Sequence, residues 1–328
     1  MQSIKSFEIE KQLKIHSNLH KEKFQDFNYL TKNPYNSDLL YIVGKMDMHN
    51  QSELNLPKIG SAGNQFSSFA HIDNSINSAA LIVHKSSLLP TVSTDLFTLK
   101  SNKFGIQKGL KNSDKFYDEP MAEKAIGTCF PITENCVVTA KHAIEYAFKT
   151  GILSISNPNP IDEIYVIFGF NASSTSIHKT NIYQVKKIAF NSYLNNKKDF
   201  TIFELDRPLS NEHNLKMLTV SDPKKYVEWK TPIHMSGYPS GLPLKITTDG
   251  NIDTFDEANG FYYTDLDVFK INSGSPVFNK KNELIGLLVG YAMNDFDKGT
   301  IVTEPITNVF KVKVLPINYI TNFITTKI

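Results

Sequence analysis

Gly127-Thr-Cys-Phe-Pro-Ile-Thr-Glu-Asn-Cys-Val-Val-Thr-Ala-Lys-His142 is the stretch on which the fold turns. It reads as a strand, a turn, a second strand over Cys136–Thr139, and then a histidine just past the strand end. Two later segments share its texture. Lys198-Asp199-Phe-Thr-Ile-Phe-Glu-Leu-Asp-Arg-Pro-Leu209 is an acid followed by an alternating strand. Asn272-Ser273-Gly274-Ser275-Pro276-Val277-Phe278 is a serine on a tight turn before a strand. Further short β-rich runs fall at Ala79–Val83, Ile164–Phe170, Ile182–Ala189, Phe200–Leu205, Pro232–Met235, Tyr262–Leu266, Ser275–Phe278, Leu284–Val289 and Gly299–Val302. Many short strands with few helical stretches predict an all-β sandwich or barrel, not alternating βα units. The end differs. Pro316 opens a segment in which Ile317, Ile320, Phe323 and Ile324 keep helical spacing, which predicts a terminal amphipathic helix.

Composition bounds the rest. With 328 residues, 41% hydrophobic and 21% charged, the chain can bury a large core and is not globally disordered. The net charge is +2, and Arg207 is the only arginine among 35 basic residues. Bidentate base or phosphate recognition normally uses arginine forks, so nucleic acid is not an expected partner. No run of 18 apolar residues exists, so no membrane span is expected. Two cysteines exclude a disulfide framework and a four-cysteine zinc site. Cys129 and Cys136 sit on the two arms of one predicted hairpin and are expected as small buried hydrophobes, with a cross-hairpin disulfide as the alternative. The histidines lack metal-ligand spacing, so no metal and no cofactor is expected. The first thirty residues lack the apolar stretch of a secretory signal. A cytoplasmic location is therefore expected, or a secreted one if the start is not native. Residues 1–75 read as an N-terminal extension, a propeptide or regulatory segment, ahead of a domain over 76–328.

Taken singly, each chemical segment is weak, because a lone histidine, a turn acid or an Asn-Ser-Gly loop is common. The order His142, Asp199, Ser273 with these flanks supplies a general base, an orienting carboxylate and a nucleophile. The set resembles the trypsin-like, chymotrypsin-fold serine endopeptidases, near the bacterial branch that includes the glutamyl endopeptidases. Gly237-Tyr-Pro-Ser-Gly-Leu-Pro-Leu-Lys245 and Thr264-Asp-Leu-Asp267 extend the likeness. The resemblance implies two six-stranded antiparallel β-barrels with the site in the cleft between them. His142 and Asp199 would come from the first barrel and Ser273 from the second. It also implies an oxyanion hole made by the backbone N–H groups of Ile271 and Ser273. Val289-Gly290-Tyr291 would be the strand that pairs with substrate. The implied partners are a protein or peptide substrate and an activating or regulatory protein.

Two departures from the family pattern matter. Lys270 and Ile271 stand where relatives usually carry glycines. Glycine takes φ > 0 freely and a β-branched residue resists it. Either the loop rests with that peptide turned away and the enzyme is latent, or Ile271 fits an allowed conformation and nothing changes. The second departure concerns specificity. Asp267 lies six residues before Ser273, at the floor of the primary pocket in trypsin-like relatives. Glutamyl-specific relatives have a small hydroxyl residue there and a histidine where this chain has Leu288. An acid at the pocket floor favours cleavage after Lys or Arg. The alternative is that Asp267 bonds its own loop while Tyr291 narrows the pocket. Three functions follow: a restrained intracellular serine endopeptidase, a catalytically inactive binding module on the same fold, or a secreted protease.

Overall fold

The computed structural model describes residues 48–49, 78–108, 112, 116–191, 198–209, 231–266, 268, 271–293 and 310–327. Within that span the runs of alternating residues close into two barrels. The first is built from β2 (Ala80–His84), β7 (Ala125–Pro131), β8 (Cys136–Thr139), β9 (Ile164–Ile167), β11 (Ile182–Asn191) and β12 (Thr201–Leu205). Its antiparallel neighbours run β11-β12-β8-β7-β2-β9 and back to β11. The second barrel joins β13 (Pro232–Gly237), β14 (Lys245–Asp256), β15 (Phe261–Thr264), β16 (Pro276–Asn279), β17 (Leu284–Met293) and β18 (Phe310–Pro316). Its order is β14-β13-β16-β17-β18-β15, and the pairing of β15 with β14 closes the ring. The expected all-β double barrel is therefore the observed architecture.

Successive side chains of a strand point to opposite faces. In β7, β8 and β12 both faces are apolar. Cys129, Val137 and Phe203 fill the inside of the first barrel. Phe130, Val138 and Ile202 point outward, where Phe278, Leu284, Leu287 and Leu315 of the second barrel meet them. These strands are apolar on successive residues because their outer face is covered by another sheet. Ile317 and Ile320 enter the same cluster, with Ile324 packed against it, and dock helix α3 (Asn318–Lys327) across the seam. The terminal helix expected after Pro316 is present.

The segment between β2 and β7 is an insertion. It carries β3 (Leu88–Pro90) and β4 (Leu96–Leu99), which form a three-stranded sheet with β10 (Ser176–His178), and the hairpin of β5 (Ser101–Lys103) and β6 (Pro120–Ala122) around helix α1 (Phe104–Lys108). It reaches the second barrel: Glu119 pairs with the buried Lys245, and Phe116 packs with Leu242. Arg207 is spent on structure. Its guanidinium donates to the carbonyls of Lys179 and Ile182 at 3.0 and 2.6 Å and lies 4.2 Å from the Tyr183 ring.

Of the N-terminal extension, only β1 (Met48–His49) belongs to the described residues, and it pairs with Thr247 and Ile246 on β14. The rest of 1–75, and the run expected at Gly299–Val302, lie outside them. Strand β14 is not among the runs expected from the sequence, and its middle, Asp249-Gly250-Asn251, holds residue types that favour turns. A Cβ on Gly250 would stand 2.3 Å from Leu266 Cδ2. The glycine makes room for that side chain within a continuous strand. No helix among the described residues is long and apolar enough to cross a membrane.

Candidate active site

Strand register brings the first two groups together. Thr201 of β12 pairs with Thr139 of β8. Two residues back along an antiparallel partner puts Asp199 opposite the chain just beyond Thr139. There helix α2 (Lys141–Lys149) begins, with His142 in its first turn. Its N-cap is Ala140, whose side chain can accept nothing. Asp199 takes over the capping role from the neighbouring strand. Its Oδ1 accepts the His142 backbone N–H at 2.9 Å, and its Oδ2 lies 2.6 Å from His142 Nδ1. One carboxylate thus caps the helix and orients the imidazole. The positive end of the helix dipole favours its negative charge.

Burial alone would raise the Asp199 pKa. The charge and hydrogen bonds of His142 outweigh it and hold the carboxyl below the usual carboxylate range. Burial likewise pushes His142 down, and the Asp199 charge and hydrogen bond push it further up, leaving a net rise. An ionised Asp199 only accepts hydrogen bonds. In the neutral ring the proton therefore sits on Nδ1, and Nε2 is free to accept.

The acceptor has a donor in place. Ser273 Oγ lies 2.7 Å from His142 Nε2. The loop that carries it is pinned from both barrels. Thr128 N of β7 donates to Ser273 O at 3.0 Å, and Gly274 N donates to Leu288 O of β17 at 2.7 Å. Gly274 has φ 97°, and a Cβ there would stand 1.8 Å from Thr128 O. Only glycine fits where this turn passes under the first barrel.

Ile271 is the unexpected member. It sits at φ 73°, in the left-handed region, and is the only β-branched residue among the five non-glycine residues with positive φ that the described chain contains. That conformation costs about 1–2 kcal/mol for an L-residue. Two contacts offset it. The side chain packs against the cluster of Leu81, Tyr238 and Leu244, and the carbonyl accepts from Thr128 Oγ1 at 2.9 Å.

The remaining expected residues divide. Val289, Gly290 and Tyr291 lie on β17. The pairing of β17 with β16 ends at Leu287↔Pro276, whereas β18 continues alongside to Met293↔Phe310. From Val289 onward the edge of β17 next to the nucleophile loop has no strand partner among the described residues, so an extended peptide could add there. Asp267 lies outside the described residues. Leu288 is buried in the apolar interior of the second barrel. Cys129 and Cys136 are both free and buried, so the cross-hairpin disulfide is absent and burial pushes both thiols up. Thr128 and Thr139 were not singled out in the sequence, because a buried threonine in a strand looks like any β-branched filler. Thr139 Oγ1 donates to Thr128 O at 2.7 Å, which ties the strand leading to His142 to the one that holds the nucleophile loop.

Residues 127–287 match the family model of the trypsin-like peptidase domain. Over 190 residues, 57% of this chain, the sequence is 26% identical to the glutamyl endopeptidase of Staphylococcus aureus strain MRSA252, covering 47% of that protein. The match to the strain MW2 protein has the same identity and covers 52% of it. The chain thus spans about half the length of the curated relatives it matches. Among solved structures, that of a Glu endopeptidase in complex with MPD overlaps 78% of this chain and 94% of its own, with TM-score 0.45 and 14% identity. Rv3671c from M. tuberculosis H37Rv overlaps 83% and 97%, with TM-score 0.43 and 11% identity.

Proposed function

We propose that this chain, which carries a trypsin-like peptidase domain, is a serine endopeptidase that hydrolyses peptide bonds through Ser273, His142 and Asp199. One observation carries the reading: an unbroken relay of 2.6 Å from Asp199 Oδ2 to His142 Nδ1 and 2.7 Å from His142 Nε2 to Ser273 Oγ.

Chemistry follows from those distances. Ser273 Oγ attacks the scissile carbonyl while Nε2 takes its proton. The Asp199 carboxylate stabilises the imidazolium that forms and keeps the ring in the tautomer that began the step. The backbone N–H groups of Ser273 and Ile271 receive the negative charge that develops on the carbonyl oxygen. The imidazolium then protonates the leaving amine. A water enters, His142 removes its proton, and the acyl-enzyme is hydrolysed by the same route in reverse. The substrate backbone lies along β17 at Val289–Tyr291 and adds as a strand.

For the residue at the cleaved position we favour Lys or Arg, from Asp267 in the sequence and from the apolar burial of Leu288, which offers an acidic side chain no cation. That choice departs from the specificity named in the glutamyl relatives. We also take the enzyme to be intracellular and regulated, with an activating or regulatory protein as its partner. A fluorophosphonate probe tests the core of the reading. The wild-type chain should be labelled covalently, and Ser273→Ala should abolish labelling with the melting temperature retained. Labelling that persists in Ser273→Ala would end it.

A further inference from the structure

We propose that Thr128, a fully buried residue of the first barrel, is a positioning residue for the oxyanion hole: its side-chain hydroxyl holds Ile271 in the left-handed conformation that aims the Ile271 N–H at the reacting carbonyl. The proposal rests on the serine-peptidase reading and deepens it.

Thr128 has 0% exposure and uses every polar atom. Its N–H donates to Ser273 O at 3.0 Å. Its carbonyl accepts from Thr139 Oγ1 at 2.7 Å. Its hydroxyl donates to Ile271 O at 2.9 Å and accepts from Tyr238 N at 3.2 Å. A hydroxyl has one proton. With the Tyr238 N–H pointing at the oxygen, that proton is committed to the Ile271 carbonyl. Thr128 therefore grips the carbonyls of the two residues on either side of Asn272, that of Ser273 through its backbone and that of Ile271 through its side chain.

The side-chain grip is the one with a consequence for reactivity. Ile271 carries three groups on its Cα. The carbonyl is held by Thr128, and the side chain packs against the apolar cluster that contains Tyr238 and Leu244. The third, the amide nitrogen, is left with rotation about φ, observed at 73°. A β-branched residue left to itself relaxes to negative φ. That rotation swings the N–H away from the direction it has now. Releasing the carbonyl removes one of the two restraints against it. Glycine would need no such clamp, and the hydroxyl of Thr128 compensates for its absence at position 271.

Thr128→Val removes the hydroxyl and keeps the branched shape, while Thr128→Ser keeps the hydroxyl. Saturation kinetics with a fluorophosphonate separate the maximal labelling rate, kinact, from the binding constant, KI. A missing oxyanion donor costs about 10²–10³ in kcat, and a misaimed one less, so kinact of Thr128→Val should fall about 10- to 100-fold. KI should stay within about threefold, and so should kinact of Thr128→Ser. The pH midpoint of labelling should not move, because His142 and Asp199 are untouched. General loosening of the fold would shift KI and that midpoint as well, so such a pattern overturns the proposal. Should Thr128→Val fail to fold for want of an acceptor for Tyr238 N, Thr128→Cys replaces it. A thiol still accepts weakly but is a poor donor to Ile271 O. Wild-type kinact in Thr128→Cys or Thr128→Val overturns the proposal while leaving the peptidase reading intact. A wild-type chain that does not label at all removes both.

Discussion

The two barrels deliver their reactive groups in different ways. The first barrel places His142 and Asp199 by regular structure: a strand register, a helix start and one carboxylate that serves both. Among the described residues, none of positive φ lies within residues 139–149 or 198–205. The second barrel places Ser273 on a loop that contains a glycine at φ 97° and an isoleucine at φ 73°. That loop holds its shape through contacts with its neighbours, Thr128 above all. The acid–base half is thus built into the scaffold, and the nucleophile half is imposed on a reluctant backbone. Strain of this kind persists only where the surroundings over-determine it. The comparison implies that changes at His142 and Asp199 should alter proton chemistry with little effect on conformation, and changes in the Ser273 loop and at Thr128, which braces it, should do the reverse.

Asp199→Asn should give the largest effect. Asn keeps an oxygen that can accept the His142 backbone N–H, so helix α2 stays capped and the fold should hold. Its amide cannot favour the tautomer with the proton on Nδ1. Loss of that control costs about 10⁴ in kcat in a triad of this kind. Steady-state turnover and a melting curve check it. A variant within tenfold of wild type would show that Asp199 is only a cap. Asp199→Ala would lose the cap too and should be less stable than Asp199→Asn by about 0.5–2 kcal/mol.

The pH dependence sharpens the same half. The folded pKa of His142 lies above its reference of about 6.5. The pairing of protonated His142 with Asp199 therefore contributes stability that is fully present below that reference and is lost as pH rises through the folded value. Activity runs the other way, because only neutral His142 can accept the Ser273 proton. Labelling should rise with pH around a midpoint above 6.5. In Asp199→Asn the raising influence is gone and burial remains, so the His142 midpoint should drop below that of wild type. A histidine NMR titration of both proteins measures the order. An unchanged midpoint would mean that Asp199 does not set the charge of the ring.

What the sequence disclosed follows the same division. The grouping of His142, Asp199 and Ser273 was legible because the three residue types are distinctive in order and each sits beside a short β-rich run. The double barrel was legible in its many short β-rich runs, among them Cys136–Thr139, Phe200–Leu205 and Leu284–Val289. Strand β14 was hidden because Gly250 is a packing solution that looks like a turn. The alternation of Phe310–Pro316 was there to be read: Val312 and Val314 are buried and Lys313 is not. The role of Thr128 depends on where Ile271 and Tyr238 fall in space, and spacing along the chain carries no trace of it. Ala140 at a helix start was a usable clue, since an N-cap without an oxygen asks for one from elsewhere.

The smallest effect tests the strained half directly, through Ile271→Ala and Ile271→Gly. Both remove the packing of the isoleucine side chain against the apolar cluster that contains Tyr238 and Leu244 and so share that loss. They differ in one respect. Alanine has a Cβ and keeps the cost of φ 73°, whereas glycine takes that angle freely. Glycine also has more freedom to lose on folding, which works against it by a fraction of the same size. The net expectation is that Ile271→Gly is more stable than Ile271→Ala by about 1 kcal/mol, read as a higher urea midpoint at equal slope. Reactivity should follow the same order. An alanine freed of its apolar anchor drifts toward negative φ and turns its N–H from the oxyanion, while a glycine populates the productive angle without strain. Ile271→Gly should therefore label faster with a fluorophosphonate than Ile271→Ala. Equal midpoints and equal labelling would show that position 271 stores no strain, and the contrast between the two barrels would then rest on Gly274 alone.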